Sequence, residues 1–533
     1  MPDSIKFNLL HEEWILVRKP NGQMKEVSIL DLFRGAPTYQ SLAGELPTQD
    51  VAILRVLLAI LHAVFARYNI EGNYSPISSP GDALQRWKSI WDMGEFPMGI
   101  IEDYLMHFEE RFWLFHPEYP FYQVPEMEKA TWYTAAKLNG ELSESGNKIR
   151  LFPQRSGGGK NTLSYPEAAR WLIYVNSFDD TSAKPKQKGL PSPGAGWLGK
   201  LGLIYAYGNN VFETLLLNFV LLKDGGNELW GEEEPIWEKE SVKTDERTEI
   251  TIPDNPSALL TLQSRRLHLV REGGKVVGYM LLGGDFFHKE NAFAEQMTLW
   301  RVHEQKKSGV REYHPKRHDP SRQLWRDFSA IIGQDQSKHC PGVVAWLARL
   351  KAEDIIPRSH FRFQTAAVKY GDKDFFVDDV FADSLSFNAV LLTALGEAWV
   401  NRIITIISQT EEMVRQVGYL AQNLAKASGD SDGSSRRQEA QEQAYFLLDM
   451  PFRRWLEGID PERDSIDEKS QRWWEEAKKI LLDLGKDLVS QSSPQAIVGR
   501  YVQEKQRGKD VERRYTAPEA YNRFVYMISK PLN

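Results

Sequence analysis

A single cysteine, Cys340, occurs in 533 residues. One thiol makes no intramolecular disulfide and no cysteine-based zinc cage, and its rarity fits a reducing compartment. Long apolar runs are also missing. The longest, Val51 to Phe65, is interrupted by Arg55 and His62 and is too short to span a bilayer. The opening Met1-Pro2-Asp3-Ser4-Ile5-Lys6 is polar and lacks the apolar stretch of a signal peptide. A cytoplasmic protein without a membrane partner is expected. Nor is there an excess of positive charge: 66 Lys+Arg stand against 73 Asp+Glu, a net of −7. Small stand-alone DNA-binding domains carry the opposite sign, so any nucleic-acid contact must be local or organised by a basic partner. What is present is ordinary globular material. Apolar residues make up 42% and charged residues 26%, which excludes global disorder. Sixteen Trp supply large flat surfaces for cores and interfaces.

The chain divides by pattern. Ile5 to Leu10 and Trp14 to Val17 read as strands, with Asn21-Gly22 as a hairpin turn and Ser28 opening a short helix. Thr48 is placed to cap a long helix whose apolar residues at 51, 54, 57, 58, 61, 64 and 65 form one stripe. A helix is expected from Ile100 to Trp113. Ser164 and Glu167 form a capping box around Pro166, predicting a helix to about Ser177. Residues 247–285 alternate as strands, 301–326 form a basic loop, and Phe361 to Val380 reads as strand plus tight turn. Four amphipathic segments follow, at 384–426, 436–458, 465–490 and 493–529. The expected architecture is α+β: a large mixed α/β domain, 1–382, followed by an antiparallel four-helix bundle, 383–533.

Individual motifs stop short of a catalytic site. Gln154-Arg155-Ser156-Gly157-Gly158-Gly159-Lys160-Asn161 superficially matches a phosphate loop, but Gln154 and Asn161 stand where that loop needs Gly and Ser/Thr. Pro193-Gly194-Ala195-Gly196-Trp197 allows backbone to approach a partner closely, or serves as a plain linker. From Arg301 to Arg326 eight cations face three carboxylates, a local basic patch on an acidic chain. His303, His314 and His318 lack metal-ligand spacing, because Pro315 breaks the helical register. Cys340 reads as a structural thiol. Asp372, Asp374, Asp378, Asp379 and Asp383 could gather a divalent cation, but turn and cap roles fit them better. No cofactor is expected.

Several segments together resemble the CasA family, the large subunit of the type I-E CRISPR surveillance complex Cascade. They are Phe7-Asn8-Leu9-Leu10 with Trp14 to Val17 and Ser28 to Phe33; His116-Pro117 with Pro120-Phe121-Tyr122-Gln123; Leu262-Gln263-Ser264-Arg265-Arg266; and Tyr370-Gly371 with Val377-Asp378-Asp379-Val380. The resemblance spans essentially the whole chain. It implies a non-enzymatic subunit that recognises the protospacer-adjacent motif (PAM) in duplex DNA. Such a subunit helps open the duplex, holds the displaced single strand and recruits the helicase–nuclease. Its partners would be the Cascade core subunits with crRNA, double-stranded target DNA, the displaced strand and the Cas helicase–nuclease.

The resemblance also implies site residues. The glycine loop that meets the minor groove falls on Gly194, Ala195 and Gly196. A lysine finger falls on Lys289. The loop that contacts crRNA and the core falls on about Leu151 to Asn161, with Phe152 as its aromatic anchor and Gln154, Arg155, Gly157, Gly158, Gly159, Lys160 and Asn161 behind it. The wedge turn falls on Gly371, Asp372, Lys373 and Asp374. Here the chain departs from the family's glutamine, and the residues leave open whether Lys373 or Asp374 does the wedging. The alternative from a different class is a metal-dependent nuclease or phosphotransferase built on Asp372, Asp374 and Asp378. A third is a scaffold whose Trp-rich surface binds only protein.

Overall fold

The computed structural model describes residues 5–146, 148–181, 184, 189–240, 243–288, 292–304, 309–430, 432–506 and 509–530. The fold is α+β, and the chain forms two compact units. One comprises Met1–Pro320, Ala330–Pro357 and Arg362–Ser384; the other comprises Ser321–Ser329, Arg358–Phe361 and Leu385–Asn533.

The first unit is organised around the helix Pro47–Phe65. It begins at Pro47 rather than being capped by Thr48, because proline's fixed φ suits the first helical position. Its expected apolar stripe extends all the way round: every residue from Val51 to Phe65 is buried. By length and composition this helix could cross a membrane, but 94% of its apolar window is enclosed within the fold. Two of its ionisable residues, Arg55 and His62, lie deep in the core, one paired and the other neutral. Arg55 makes a two-pronged ion pair with Glu295, at 2.8 and 3.0 Å, both side chains about 1% exposed. His62 lies 3.6 Å from Glu233, and burial keeps the ring neutral by pulling it down to about 3.

Among the described residues the chain forms three three-stranded sheets. Ile15–Arg18 pairs with Met24–Val27 and with Ser41–Leu42. The connection of the first pair contains Gly22 at φ +83°, as Asn-Gly predicts. Arg265–Glu272 and Lys275–Gly283 form a hairpin through Gly273-Gly274, both at positive φ, and Thr131–Thr134 adds a third strand. Only these two strands form in the region expected to alternate throughout 247–285. The third sheet places His360–Tyr370 between Tyr205–Tyr207 and Val377–Asn388. The expected helix 100–113 is shorter, Met98–His107, and tightens into a 3₁₀ turn before the strand Trp113–Phe115. Part of the expected basic loop is a hairpin, Trp300–Glu304 with Arg311–Pro315.

The second unit contains the helices Glu397–Ser428, Ser434–Glu457, Ile466–Ser490 and Ala517–Ser529. Two boundaries differ from the sequence pattern. Residues to Asn388 remain in a strand, and two 3₁₀ turns precede the first helix. The last segment is not one helix from 493 to 529. A five-residue helix, Pro494–Val498, leads into a hairpin, Arg500–Gln506 with Lys509–Tyr515, before the final helix starts behind the Thr516 cap. Gly499 forces this turn. It sits at φ +78°, and a Cβ there would lie 2.3 Å from the Tyr515 carbonyl. The bundle core is aromatic: Phe452 stacks on Trp325 at 4.2 Å and meets Trp473 edge-on at 4.9 Å. The buried Trp473 indole donates to the Thr410 hydroxyl at 2.9 Å.

Glu233 gives a measurable signature. Burial pushes its carboxyl up to about 7, opposed by hydrogen bonds from Ser257. A carboxyl raised in the folded state stabilises fully below its unfolded value, and that contribution is lost as pH rises through 7. Glu233→Gln should therefore remove a fall in stability of roughly 3 kcal/mol between pH 4.5 and 7. Denaturant midpoints of the two proteins at pH 5 and pH 8 check this; an equal pH response in both would refute it.

Candidate functional site

Two segments singled out in the sequence, the glycine loop and the turn at 371–374, meet in the first unit around one pair of buried carboxylates. The helix Tyr165–Phe178 is opened by the Ser164–Glu167 capping box. It delivers Asp179 and Asp180 directly after its last turn, both buried. Asp179 accepts from Arg265 Nε at 2.7 Å and pairs with Lys184 at 2.8 Å. Asp180 pairs with Lys137 at 2.9 Å and Lys148 at 3.1 Å. Burial alone would raise Asp179, but Lys184, Arg265 and Lys137 outweigh it and hold the carboxyl well below the usual range. The same burial pushes Lys184 down to about 8 against the pull of Asp179. Lys148 is lowered by burial too, with Asp180 opposing.

This cluster fixes the glycine loop. The Gly196 N–H donates to the Asp179 carbonyl at 2.8 Å, and Arg265 donates to the Gly194 carbonyl at 2.7 Å. The loop therefore faces inward at Ala195 and Gly196. Ala195 is fully buried, and a Cβ on Gly196 would stand 2.3 Å from the Ser177 carbonyl. The small size of these two residues serves packing against the end of the helix. Gly194 is the partly exposed member, at φ +62°, and no hydrogen bond of its N–H is present among the described residues. Lys200 lies beside it, its ammonium donating to the Pro193 carbonyl.

The turn Gly371 to Asp374 is anchored to the same cluster. The Thr181 N–H donates to the Asp374 carbonyl at 2.8 Å. Lys148 donates to the Phe375 carbonyl and sits 4.0 Å over the Phe375 ring. Arg317 grips the Asp374 carboxylate with two bonds, 2.8 and 3.0 Å. Gly371 makes room for the Phe376 ring, which lies 2.2 Å from where a Cβ would be. Lys373, at φ +53°, is exposed at the tip beside exposed Asp372. Asp374 is thus committed to Arg317, and Lys373 is the side chain left projecting.

In the first loop, Phe152 is 93% exposed, next to Leu151 at 89%. Arg155 pairs with Glu167 at 2.6 Å and Lys160 with Glu144 at 3.0 Å, so these two cations hold the loop's ends. Gly157, Gly158 and Gly159 form an exposed 3₁₀ turn with open space around each, and Gln154 and Asn161 are exposed. Lys289 lies outside the described residues.

A metal reading finds no donor set. Asp374 pairs with Arg317 and Asp378 with Lys369 at 3.2 Å, and no group of three candidate ligands occurs among the described residues. His318 Nε2 donates to the Leu203 carbonyl at 2.8 Å. Burial raises the Cys340 thiol to about 12, far from a reactive thiolate.

Sequence reasoning missed Lys137, Lys148, Asp179, Asp180 and the structural role of Arg265. The available signals were the Asp-Asp pair ending a capped helix and the adjacent arginines at 265–266. It also missed the exposed aromatic pair Phe375-Phe376 flanking the turn, 47% and 41% exposed.

Residues 8–484 match the family model described as CRISPR-associated protein Cse1. A CRISPR-associated protein CasA/Cse1 from Thermus thermophilus is 27% identical over 466 residues, 86% of each chain. The crystal structure of Thermobifida fusca Cse1 superposes with a TM-score of 0.83 at 29% identity, covering 99% of this chain and 98% of that one. A chain of a structure described as a CRISPR RNA-guided surveillance complex shares the fold, with a TM-score of 0.60 at 15% identity over 98% of this chain and 99% of that one.

The cluster's role in pinning the loops is testable by substitution. Asp179→Asn leaves Lys184 and Arg265 buried beside a neutral group, which should cost on the order of 3–5 kcal/mol. Gly196→Ala should cost about 1–3 kcal/mol through overpacking. Thermal denaturation reads both; wild-type melting in either variant would contradict the packing described.

Proposed function

The chain belongs to the CRISPR-associated Cse1 family, and from that premise we propose that it is the large, non-catalytic subunit of a crRNA-guided surveillance complex of the cytoplasm. It senses the protospacer-adjacent motif in duplex DNA and starts strand separation there. It then steadies the displaced strand and offers a surface to the helicase–nuclease. The observation that carries this reading is the anchoring of the glycine loop and the turn at 371–374 on one buried ion cluster, with the exposed tip of the first loop held by its own ion pairs. A rigid base beneath exposed tips suits a reader that contacts DNA with few groups.

The physical roles divide between the tips. Gly194 offers a backbone N–H to a groove whose edges present acceptors, A N3 and T O2, in a degenerate A·T-versus-G·C code. A glycine admits close backbone approach there, and a relaxed motif preference follows. Ala195 and Gly196 support this contact from behind. Lys373 enters below the motif. A wedge of this kind fills the space between stacked pairs, which costs a few kcal/mol per step, and the ammonium pairs with phosphate as the strands part. Asp372 and Gly371 shape the tip, while Asp374 serves as the handle gripped by Arg317. Phe152 anchors the first loop on the crRNA-bearing core, with Gln154, Gly157, Gly158, Gly159 and Asn161 lining the contact. Lys289 is proposed as a further minor-groove contact. Division of labour between guide pairing and a protein that reads only a short flanking motif is known for another effector class.

An acidic chain is compatible with this work when the complex supplies most of the phosphate neutralisation and the chain supplies positioned tips. The test uses the assembled complex and matched duplexes in electrophoretic mobility shifts. Gly194→Asp and Lys373→Ala should each weaken binding by about tenfold or more, in line with one lost contact of 1–3 kcal/mol. Unchanged affinity in both would remove the assignment.

A further inference from the structure

The first unit contains a cavity of about 110 Å³ on the sheet that carries the turn. Its walls are apolar, with Val51 and Leu54 of the core helix and Val211 buried around it. Tyr205 and Tyr207, two apart on one strand and so on one face, contribute rings. Against this apolar lining stand a few polar groups. The Tyr205 hydroxyl donates to Gln364 Oε1 at 3.0 Å, which leaves the Gln364 amide nitrogen with no partner among the described residues. Asp50 Oδ1 accepts from the Gly44 N–H at 2.7 Å, and its Oδ2 has no partner among the described residues. Ala382, exposed, sits at the mouth. An apolar cavity with a few convergent unpartnered polar groups is the usual form of a small-ligand site.

From this arrangement we propose that the cavity receives one unpaired nucleobase bearing an exocyclic amine, cytosine or adenine, from a single strand of DNA. The chemistry selects that class. A carboxylate oxygen accepts from an exocyclic amino group, as acidic side chains do from cytosine N4. An amide NH2 donates to the neighbouring ring nitrogen or carbonyl. The tyrosine rings supply stacking, which every base offers through its π face. The volume suits one heterocycle rather than a whole nucleotide. Thymine, lacking an amine and presenting O4 to the carboxylate, is disfavoured. Burial pushes Asp50 up to about 7, so the carboxylate form that accepts from an amine dominates at pH 8, where the discrimination is read.

The source follows from chain connectivity. Gln364 and Ala382 lie on the two strands of the hairpin whose tip carries Lys373. A base released at that tip has the cavity on the same element. This step rests on the DNA-opening role proposed above.

The experiment uses the full chain alone. Saturation-transfer NMR is run with cytidine, adenosine and thymidine. Anisotropy is run with a labelled all-thymine strand and the same strand carrying one cytosine. Cytidine and adenosine should bind and thymidine about tenfold or more weakly, the discrimination of one good base contact. The cytosine-bearing strand should bind more tightly than the all-thymine strand. Gln364→Ala should weaken binding of cytidine and adenosine alike, and Asp50→Asn, which puts a donor where Oδ2 accepts, should remove the discrimination. Ala382→Trp, placed at an exposed position so that the fold is kept, should block the mouth and abolish it. Binding unaffected by Ala382→Trp, equal binding of thymidine, or no binding of any probe would overturn the proposal. Binding of free nucleosides without preference for the cytosine-bearing strand would overturn its strand source. None of these readouts needs guide RNA or a duplex, so failure of the mobility-shift test would sink the DNA-sensing reading separately.

Discussion

Two adjacent carboxylates, Asp179 and Asp180, are buried where a helix ends, and burial of charge is tolerated only with partners. Their partners come from distant parts of the chain: Lys137 and Lys148 from one side, Lys184 from the loop itself, Arg265 from a hairpin strand. An isolated buried carboxylate would be expensive, so these segments are obliged to meet. The glycine loop and the turn at 371–374 are then set by hydrogen bonds to the same few residues. Rigid support beneath, with Gly194, Lys373 and Phe152 left outside, is a consequence of that obligation.

The same constraint explains why small residues matter in two different ways. Gly196 is small so that backbone can pack against Ser177. Gly157, Gly158 and Gly159 have nothing near them at all. Sequence presents both sets as glycine-rich loops, and only the surroundings separate an internal contact from an exposed one. The charged residues divide likewise. Arg155, Lys160 and Arg317 are bound to carboxylates of their own unit, whereas Lys373 is exposed at its tip.

Membership of the Cse1 family and the α+β fold agree with the sequence reading. Much of the local structure was legible because its signals are local. The Asn21-Gly22 turn, the Ser164–Glu167 capping box, the hairpin with a tight turn after Tyr370 and three of the long C-terminal helices all arise from short-range backbone preferences. Where the reading failed, a longer-range contact decided. The segment 493–529 has helical periodicity, yet Gly499 packs against the Tyr515 carbonyl and a hairpin forms. Thr48 looks like a cap, yet Pro47 starts the helix and the residue is enclosed.

The sequence by itself determined which stretches turn, which coil and which carry apolar faces, since those follow from neighbours a few residues apart. It also excluded an intramolecular disulfide and a cysteine-based zinc cage, whereas only the fold shows that the apolar helix Pro47–Phe65 is enclosed. Tertiary structure alone decided that Asp374 is held and Lys373 is free. It also decided that Ala195 and Gly196 face inward, and that Asp50, Tyr205 and Gln364 share a cavity. Those outcomes depend on which charges and surfaces are brought together across tens to hundreds of residues, and burial of one carboxylate pair selects among them.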